Sequence, residues 1–508
     1  MSAAPVAAGT RRLMWAASLT MILTALGSMF GFGRDLLVAG MFGASASTDA
    51  FMVAWTVPET AAPLLIEGAL SYLLIPAFSR RLEEGRPIRE VVWGALPRSL
   101  TAFLLLTVVT ALGAPLIVEL MAPGMADHAL ATRCTQITSI TVAAFGLAGY
   151  LGAALRTRQV FGPPAAIYLA YNATIITFIA LGRDSLGITA VAWGVAAGGI
   201  LMVLVQAPAV LRYIGAPMRP ATTTAISLGA FVPIASFTLL RQAQIFIERF
   251  VGSSLPAGAI SYLNYAQKIA QVPMVVSLII ATVSFPALAR SIAARDHQAA
   301  QRHVVADIVV AGSLVLVSTV FLVVFAPEVV RLLLEHGAFT ATDTEATAWT
   351  MRLYAPGLLG QVVVGALCRV YFCGDRPSWY PALAMGACLV VTGALAPVLA
   401  EPLGTGGIAL ANAAGISLGA VLLLVRLGPP LLVLPRWPVT LTLGRLTLAA
   451  GAAAVIAALA QPWLARLPLV LTVSCGGLTV IAAFAVAIVI TGGRRDLSVA
   501  LRKKGGIR

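Results

Sequence analysis

Long apolar stretches, each cut off by a short polar or charged interruption, recur from one end of this chain to the other. Most reach about 18 residues or more, the length at which a helix crosses the hydrocarbon core of a bilayer. The pattern predicts fourteen spans, over residues 13–40, 48–78, 91–120, 131–155, 162–182, 187–211, 224–252, 258–288, 304–325, 346–371, 379–400, 406–426, 441–463 and 468–491. The fold class it implies is an all-α polytopic membrane protein. The first stretch follows Arg11-Arg12 and runs into Gly-Ala-Ser-Ala-Ser at 43–47, which mimics a secretory leader. It is too long for a leader's apolar region of about 7–15 residues, and it holds Arg34-Asp35, so it reads as the first membrane helix.

The interruptions are not equivalent. Arg11-Arg12, the segment 79–90, Arg156 and Arg158, Arg212, Arg219, Arg290, Arg295, Arg302, Arg376, Arg426, Arg436 and the basic tail fall on one side. Arg133, Arg183 and Arg466 are scattered on the other. Positive residues mark the cytoplasmic side, so both termini are expected there, as an even number of spans requires. Trp93, Trp379, Trp437 and Trp463 stand near span ends, where interfacial anchors belong.

The chain also repeats itself. "LLIPAFSRRLEEG" at 73–85 and "VSFPALARSIAARD" at 283–296 share a Pro-Ala-x-x-Arg core, with Pro76 and Pro286 separated by 210 residues. "RTRQVFGPP" at 156–164 is echoed by "CRVYFCGDRP" at 368–377. A repeat of six spans keeps its orientation, so the halves should relate by a pseudo-two-fold axis along the membrane normal. The expected organisation is a first lobe over 1–215, a second over 216–430, and two further spans with a basic tail over 431–508. Two facing bundles around a midplane cavity are the plan of a transporter. A channel would need a ring-forming filter segment, and none is visible.

Composition narrows the function further. The chain of 508 residues is 59% hydrophobic and 11% charged, and no interval between spans is long enough to fold as a soluble catalytic domain. Its net charge of +14 does not point to nucleic acid, because the arginines mark span ends instead of forming a stripe with aromatics. Cys134, Cys368, Cys373, Cys388 and Cys475 have neither disulfide nor zinc spacing and read as small apolar residues. His128, His297, His303 and His336 lie in loops or at span ends. A membrane-embedded glycosyltransferase or polymerase would need a sizeable polar loop with catalytic groups, so the chain reads as a transporter and not an enzyme, without cofactor or metal.

The informative charges are those inside the spans, where each costs about 2.5–3.5 kcal/mol on insertion scales and is expected to face protein or a wet cavity. They are Arg34, Asp35, Asp49, Glu59 and Glu67 in the first half, and Arg241, Glu248, Arg249 and Lys268 in the second. Arg34 and Asp35 point about 100° apart on a helix, so they are not expected to neutralise each other, and one of them should reach another helix or a ligand. Structural pairing of Arg34 with an acid of the second span is the plain alternative. Lys268 stands in "SYLNYAQKIAQVP" with no acid within a turn, and Pro273 would let that helix bend. Arg34 and Lys268, one cation from each half, suit an anionic substrate such as a phosphate ester.

The stretch 31–79, with Gly31, Arg34-Asp35, Phe42-Gly43-Ala44, Thr48-Asp49-Ala50-Phe51, Pro58 and Glu67-Gly68-Ala69, resembles the signature of the MurJ/MviN family of lipid II flippases. "IERFVGSSLPAGAISYLNYAQKIAQVP" at 247–273 is similar to the family's eighth-helix region, and the resemblance continues through 354–378. It implies a flippase of the multidrug/oligosaccharidyl-lipid/polysaccharide exporter superfamily with fourteen transmembrane helices. Two lobes would flank a cationic cavity, and the last two helices would form an apolar groove for a polyprenyl tail. The implied cargo is lipid II, the undecaprenyl-diphosphate-linked peptidoglycan precursor, moved to the outer leaflet of the inner membrane by alternating access. Arg34 and Lys268 would then be the diphosphate clamp, and Asp35, Asp49, Glu59 and Glu67 its gating or positioning partners. The remaining partners would be membrane lipids and cell-wall synthesis proteins, with the flippase itself a monomer.

The chain departs from the family pattern at four positions. Ser28 and Ala62 stand where arginines are usual, Glu59 where an asparagine follows the proline, and Lys268 where the eighth helix carries arginine. These changes keep open a flippase for another polyprenyl-diphosphate glycan, and a non-transporting cell-wall scaffold. A drug or ion antiporter of the same superfamily would want an acidic site in place of Lys268. The stretches 226–240 and 380–396 carry no acid or amide, so no sodium site of the kind found in some relatives is expected.

Overall fold

The computed structural model describes residues 4–67, 69–218, 231–294, 296–372, 378–426 and 436–491, and among these no strand occurs. The chain divides into two compact units, residues 1–242 and 243–508. The first holds α1 (Ala4–Phe42), α2 (Ala46–Ala62), a π-helical stretch (Pro63–Glu67), α3 (Ala69–Glu83), α4 (Ile88–Leu112), α5 (Ala114–Met121), α6 (His128–Thr138), α7 (Ile140–Thr157), α8 (Gly162–Leu186) and α9 (Thr189–Tyr213). After α10 (Phe231–Gly252) come α11 (Ala259–Ala293), α12 (His297–Val324), α13 (Ala326–Leu334), α14 (Ala341–Tyr354), a short 3-10 turn (Ala355–Gly357), α15 (Leu358–Phe372), α16 (Tyr380–Leu403), α17 (Thr405–Arg426), α18 (Arg436–Leu464) and α19 (Leu469–Ile490).

Eleven stretches of the described residues are long and apolar enough to cross a bilayer: α1 from Ser18, α4, α6 with α7, α8, α9, α12, α14 with α15, α16, α17, α18 from Thr440, and α19. The second, seventh and eighth expected intervals are held by α2 with α3, by α10 and by α11. Those helices carry Asp49, Glu59, Arg241, Glu248, Arg249 and Lys268, and so bear much of the polar load.

Local chemistry sets the helix ends. Ser45 caps α2 by accepting from the Thr48 amide, Asp127 caps α6 through Leu130, and Asp296 caps α12 through Ala299. Thr340 and Asp343 form a reciprocal capping box at the start of α14. Two hairpins, α8–α9 and α16–α17, turn at Gly187 and Gly404 with φ of 57° and 59°, a region that favours glycine. Each hairpin is then closed by glycines four residues apart. On α9, Gly194 and Gly198 receive Ile175, Phe178 and Tyr171 of α8; on α17, Gly415 and Gly419 receive Thr392 and Cys388 of α16. In a bilayer the lipid is as apolar as the side chains, so such close backbone approach replaces the hydrophobic effect as the source of helix–helix attraction.

The second expected span is not one regular helix. Pro58 lies inside α2, and the backbone widens into the π-helical stretch before α3. The break is packed: Gly149 of α7 leaves room for the Leu65 carbonyl. Ser71 donates to the Ile66 carbonyl at 3.3 Å and accepts from Arg156 Nη1 at 3.1 Å, so freed backbone groups find partners inside the protein. Below it, Tyr150 is fully buried, meets Phe78 edge-on at 5.6 Å and donates its hydroxyl to the Val92 carbonyl. Cys134, Cys368 and Cys388 are buried and Cys475 is partly buried, while Cys373 lies outside the described residues.

Candidate functional site

Arg34 is the centre of the first unit's polar cluster. It sits on α1, 6% exposed, in a helix whose other neighbours are mostly apolar. Its Nε and Nη2 both donate to Asp35 Oδ1, at 3.0 and 2.6 Å. This corrects the expectation that adjacent residues on a helix do not neutralise one another. The 100° between their Cα–Cβ directions matters for short side chains, but the arginine stem is long enough to fold the guanidinium edge back onto its neighbour. Arg34 also reaches a second helix, as that expectation required: Nη1 donates to Asn172 Oδ1 on α8 at 2.9 Å. Its face lies 4.2 Å from the ring centroid of Trp55 on α2. Trp55 in turn packs against Tyr171, which meets Phe145 edge-on.

The physical balance favours this arrangement. A buried guanidinium is costly alone, but charged hydrogen bonds contribute about 1.5–3 kcal/mol each and a desolvated cation–π contact about 2 kcal/mol. Asp35 is close to buried as well, with its side chain 15% exposed, so the ion pair is shielded from bulk water.

The other residues singled out in the first half fall around α2. Asp49 is 6% exposed in the helix's first turn, where the amide dipoles favour a carboxylate. Glu59 is half-buried near the other end, and its backbone carbonyl accepts from Gln242 Nε2 at 2.8 Å. Glu67 closes the π-helical stretch, and its side chain lies outside the described residues. Ser28, in the place of a usual arginine, turns its hydroxyl back onto the Thr24 carbonyl of its own helix at 3.1 Å. Ala62 ends α2 directly before the π-helical stretch.

In the second unit, Lys268 is half-buried on α11 and already has polar contacts of its own, so it is not a bare charge. The helix runs unbroken through Pro273. Asn264, Gln267, Lys268 and Gln271 recur at the spacing that places them along one face of α11. Gln267 Nε2 and, from α15, Gln361 Nε2 donate to the Tyr354 hydroxyl of α14 at 3.2 and 2.9 Å. Nearby elements hold Glu248, 2% exposed, which accepts from the Asn412 amide of α17, and Arg249, 1% exposed, which donates from Nη1 to the Ile260 carbonyl at 3.3 Å. Among the described residues no three His, Cys, Asp or Glu side chains come together as metal ligands.

Asn172, Tyr354, Gln361 and Asn412 were not singled out from the sequence. Each is one neutral polar residue within an apolar run, and what gives it a role is a contact 7 to 164 residues away along the chain. The available signal was the polar residue itself: in a membrane helix a carboxamide must find a partner.

Comparison with known proteins adds a family. A model described as "Lipid II flippase MurJ" matches residues 38–474. A probable lipid II flippase MurJ from Rhizobium meliloti (strain 1021) is 29% identical over 469 residues, 87% of this chain and 85% of that protein. One from Rhizobium tropici is 30% identical over 428 residues, 79% of this chain and 78% of that protein. Among solved structures, a lipid II flippase MurJ in an inward closed conformation aligns with a TM-score of 0.75 at 22% identity, covering 92% of this chain and 98% of that one. An inward-facing multidrug resistance transporter of the MATE family aligns at 0.66 and 14% identity, over 80% of this chain and 96% of that one. At these identities the structures speak for the fold.

Proposed function

The chain belongs to the lipid II flippase MurJ family, and from that premise we propose that it moves lipid II from the inner to the outer leaflet of the bacterial cytoplasmic membrane. The family match over 38–474 carries this reading: it opens four residues after Arg34, takes in Trp55 and Asn172, which hold that side chain, and runs on through the Lys268 helix. The chain is a transporter, and it works by alternating access of two six-helix lobes related by a pseudo-two-fold along the membrane normal. The matched glycine hairpins α8–α9 and α16–α17 support that relation, since each ends its lobe with the same turn and the same four-residue glycine spacing. Fourteen spans and cytoplasmic termini complete the topology, with α18 and α19 offering the groove for the polyprenyl tail. Exposed Leu448, Val455, Leu459, Leu478 and Ile481 fit such an apolar face.

Arg34 and Lys268 are the cationic contacts for the diphosphate. Arginine offers a planar fork and lysine a point charge, so the two give orientation and attraction respectively. Asp35 holds Arg34 until the substrate's phosphates compete for it. Asp49, Glu59 and Glu67, at the start of α2 and around its break, position that helix as the cavity opens and closes.

The experiment is rescue of a bacterium depleted of its own lipid II flippase by this chain, with Lys268→Ala and Arg34→Ala at matched membrane levels. Rescue by the wild type and not by the variants is expected. A second reading, a flippase for another polyprenyl-diphosphate glycan, is favoured by Ser28, whose hydroxyl is committed to its own helix and offers no substitute for an arginine fork. Stable insertion without rescue would move that reading ahead.

A further inference from the structure

We propose that Asn172 is a positioning residue for Arg34, holding the guanidinium in place while its counter-ion is exchanged for the anionic ligand. This rests on the diphosphate reading above for the identity of the ligand, and on the geometry of the first unit for the rest.

The carboxamide has one orientation that satisfies it. Both N–H groups of Asn172 Nδ2 are used on backbone carbonyls, Gly27 of α1 at 3.1 Å and Tyr168 of its own helix at 3.0 Å. Flipping the amide would aim its oxygen at two carbonyl oxygens, so Oδ1 is left facing Arg34. Asn172 is 5% exposed, so these bonds are largely shielded from bulk solvent. Glycines on α1 make the approach: a methyl group at Gly31 would lie 3.2 Å from Asn172 Nδ2, and one at Gly27 would lie 3.0 Å from Tyr168 Cβ. One carboxamide therefore ties α1 to α8 and sets the position of the guanidinium.

Neutrality is the second half of the argument. A guanidinium has five N–H donors, and three are taken here, two by Asp35 Oδ1 and one by Asn172. One N–H on each terminal nitrogen is left for a phosphate oxygen. When the ligand takes over from Asp35, Asn172 and the Trp55 face keep the guanidinium plane where it was. An aspartate at 172 would also accept from Nη1, but as a second counter-ion it would compete with the ligand, and it would lose both donors to α1 and α8. A carboxamide restrains the arginine without cancelling its charge.

The test is a double-mutant cycle on the full chain in phosphatidylcholine nanodiscs, titrated with undecaprenyl diphosphate, with unfolding temperature measured on the same samples. Asn172→Ala is expected to weaken binding about tenfold in the wild-type background and less than twofold beside Arg34→Ala. Asn172→Asp keeps an acceptor for Arg34 but turns a carboxylate oxygen toward the Gly27 and Tyr168 carbonyls, so it should lower the unfolding temperature and weaken binding at least as much. Equal losses with and without Arg34, or a lowered unfolding temperature with unchanged affinity, would overturn the proposal. So would full affinity in Asn172→Asp, which also decides the matter if the alanine variant does not fold. If the wild type fails to bind the probe, the diphosphate reading falls. The unfolding cycle then decides the positioning claim: non-additive shifts for Asn172 and Arg34 uphold it, and additive shifts overturn it.

Discussion

The two units solve one problem, polar groups held inside a membrane, with different sets of side chains. Around Arg34 the solution is ionic: the counter-ion is the next residue, and a carboxamide and an indole ring complete the shell. Along α11 neutral groups work beside the charges: Gln267 and Gln361 converge on the Tyr354 hydroxyl, and the buried acid Glu248 accepts from the Asn412 amide. An ion pair can exchange partners with an incoming anion, whereas a carboxamide network holds helices together whatever the charge nearby. On the proposed reading, the ion pair of the first cluster is the part that answers an anionic ligand, and the carboxamide network of the second holds the helix that carries Lys268.

Removing the counter-ion breaks the comparison most severely. Asp35→Ala should lower stability by about 3–5 kcal/mol, because it leaves a buried guanidinium uncompensated, and Asp35→Asn should lose much of that too. Denaturant or thermal unfolding in detergent measures it, and a loss below about 1 kcal/mol would show that Arg34 has other sufficient partners. Tyr354→Phe comes next. It deprives two amide donors of their acceptor and should cost about 1–3 kcal/mol by the same assay, without changing net charge. No change would mean that the two glutamines re-pair and the network is loose. Trp55→Leu is the smallest of the three: it keeps an apolar side chain under Arg34 but removes the ring's quadrupole, with an expected loss of about 0.5–2 kcal/mol. A loss as large as that of Asp35→Ala would transfer the central role from the ion pair to the stacking.

Much of the fold was legible because apolar run length is so direct a signal: the hairpins α8–α9 and α16–α17 fall where the spans were expected. The π-helical break at Pro63–Glu67 was not, because it depends on Gly149 making room for the Leu65 carbonyl, a contact 84 residues away. The site shows the same division. Arg34 and Asp35 announce themselves as charges in an apolar run, but their mutual pairing was misjudged from helix angles, which ignore the reach of a long side chain. Asn172 gave no signal beyond its polarity, since its role comes from three contacts, two of them to α1.

The most direct test of the account is the leaflet in which lipid II resides. In flippase-depleted cells expressing this chain, a membrane-impermeant enzyme that cleaves the exposed diphosphate link should release most lipid II headgroups. With Arg34→Ala or Lys268→Ala at equal abundance, the headgroups should stay protected. Release that is unchanged by loss of either cation would contradict the cationic-clamp account, and protection even with the wild type would contradict lipid II transport itself.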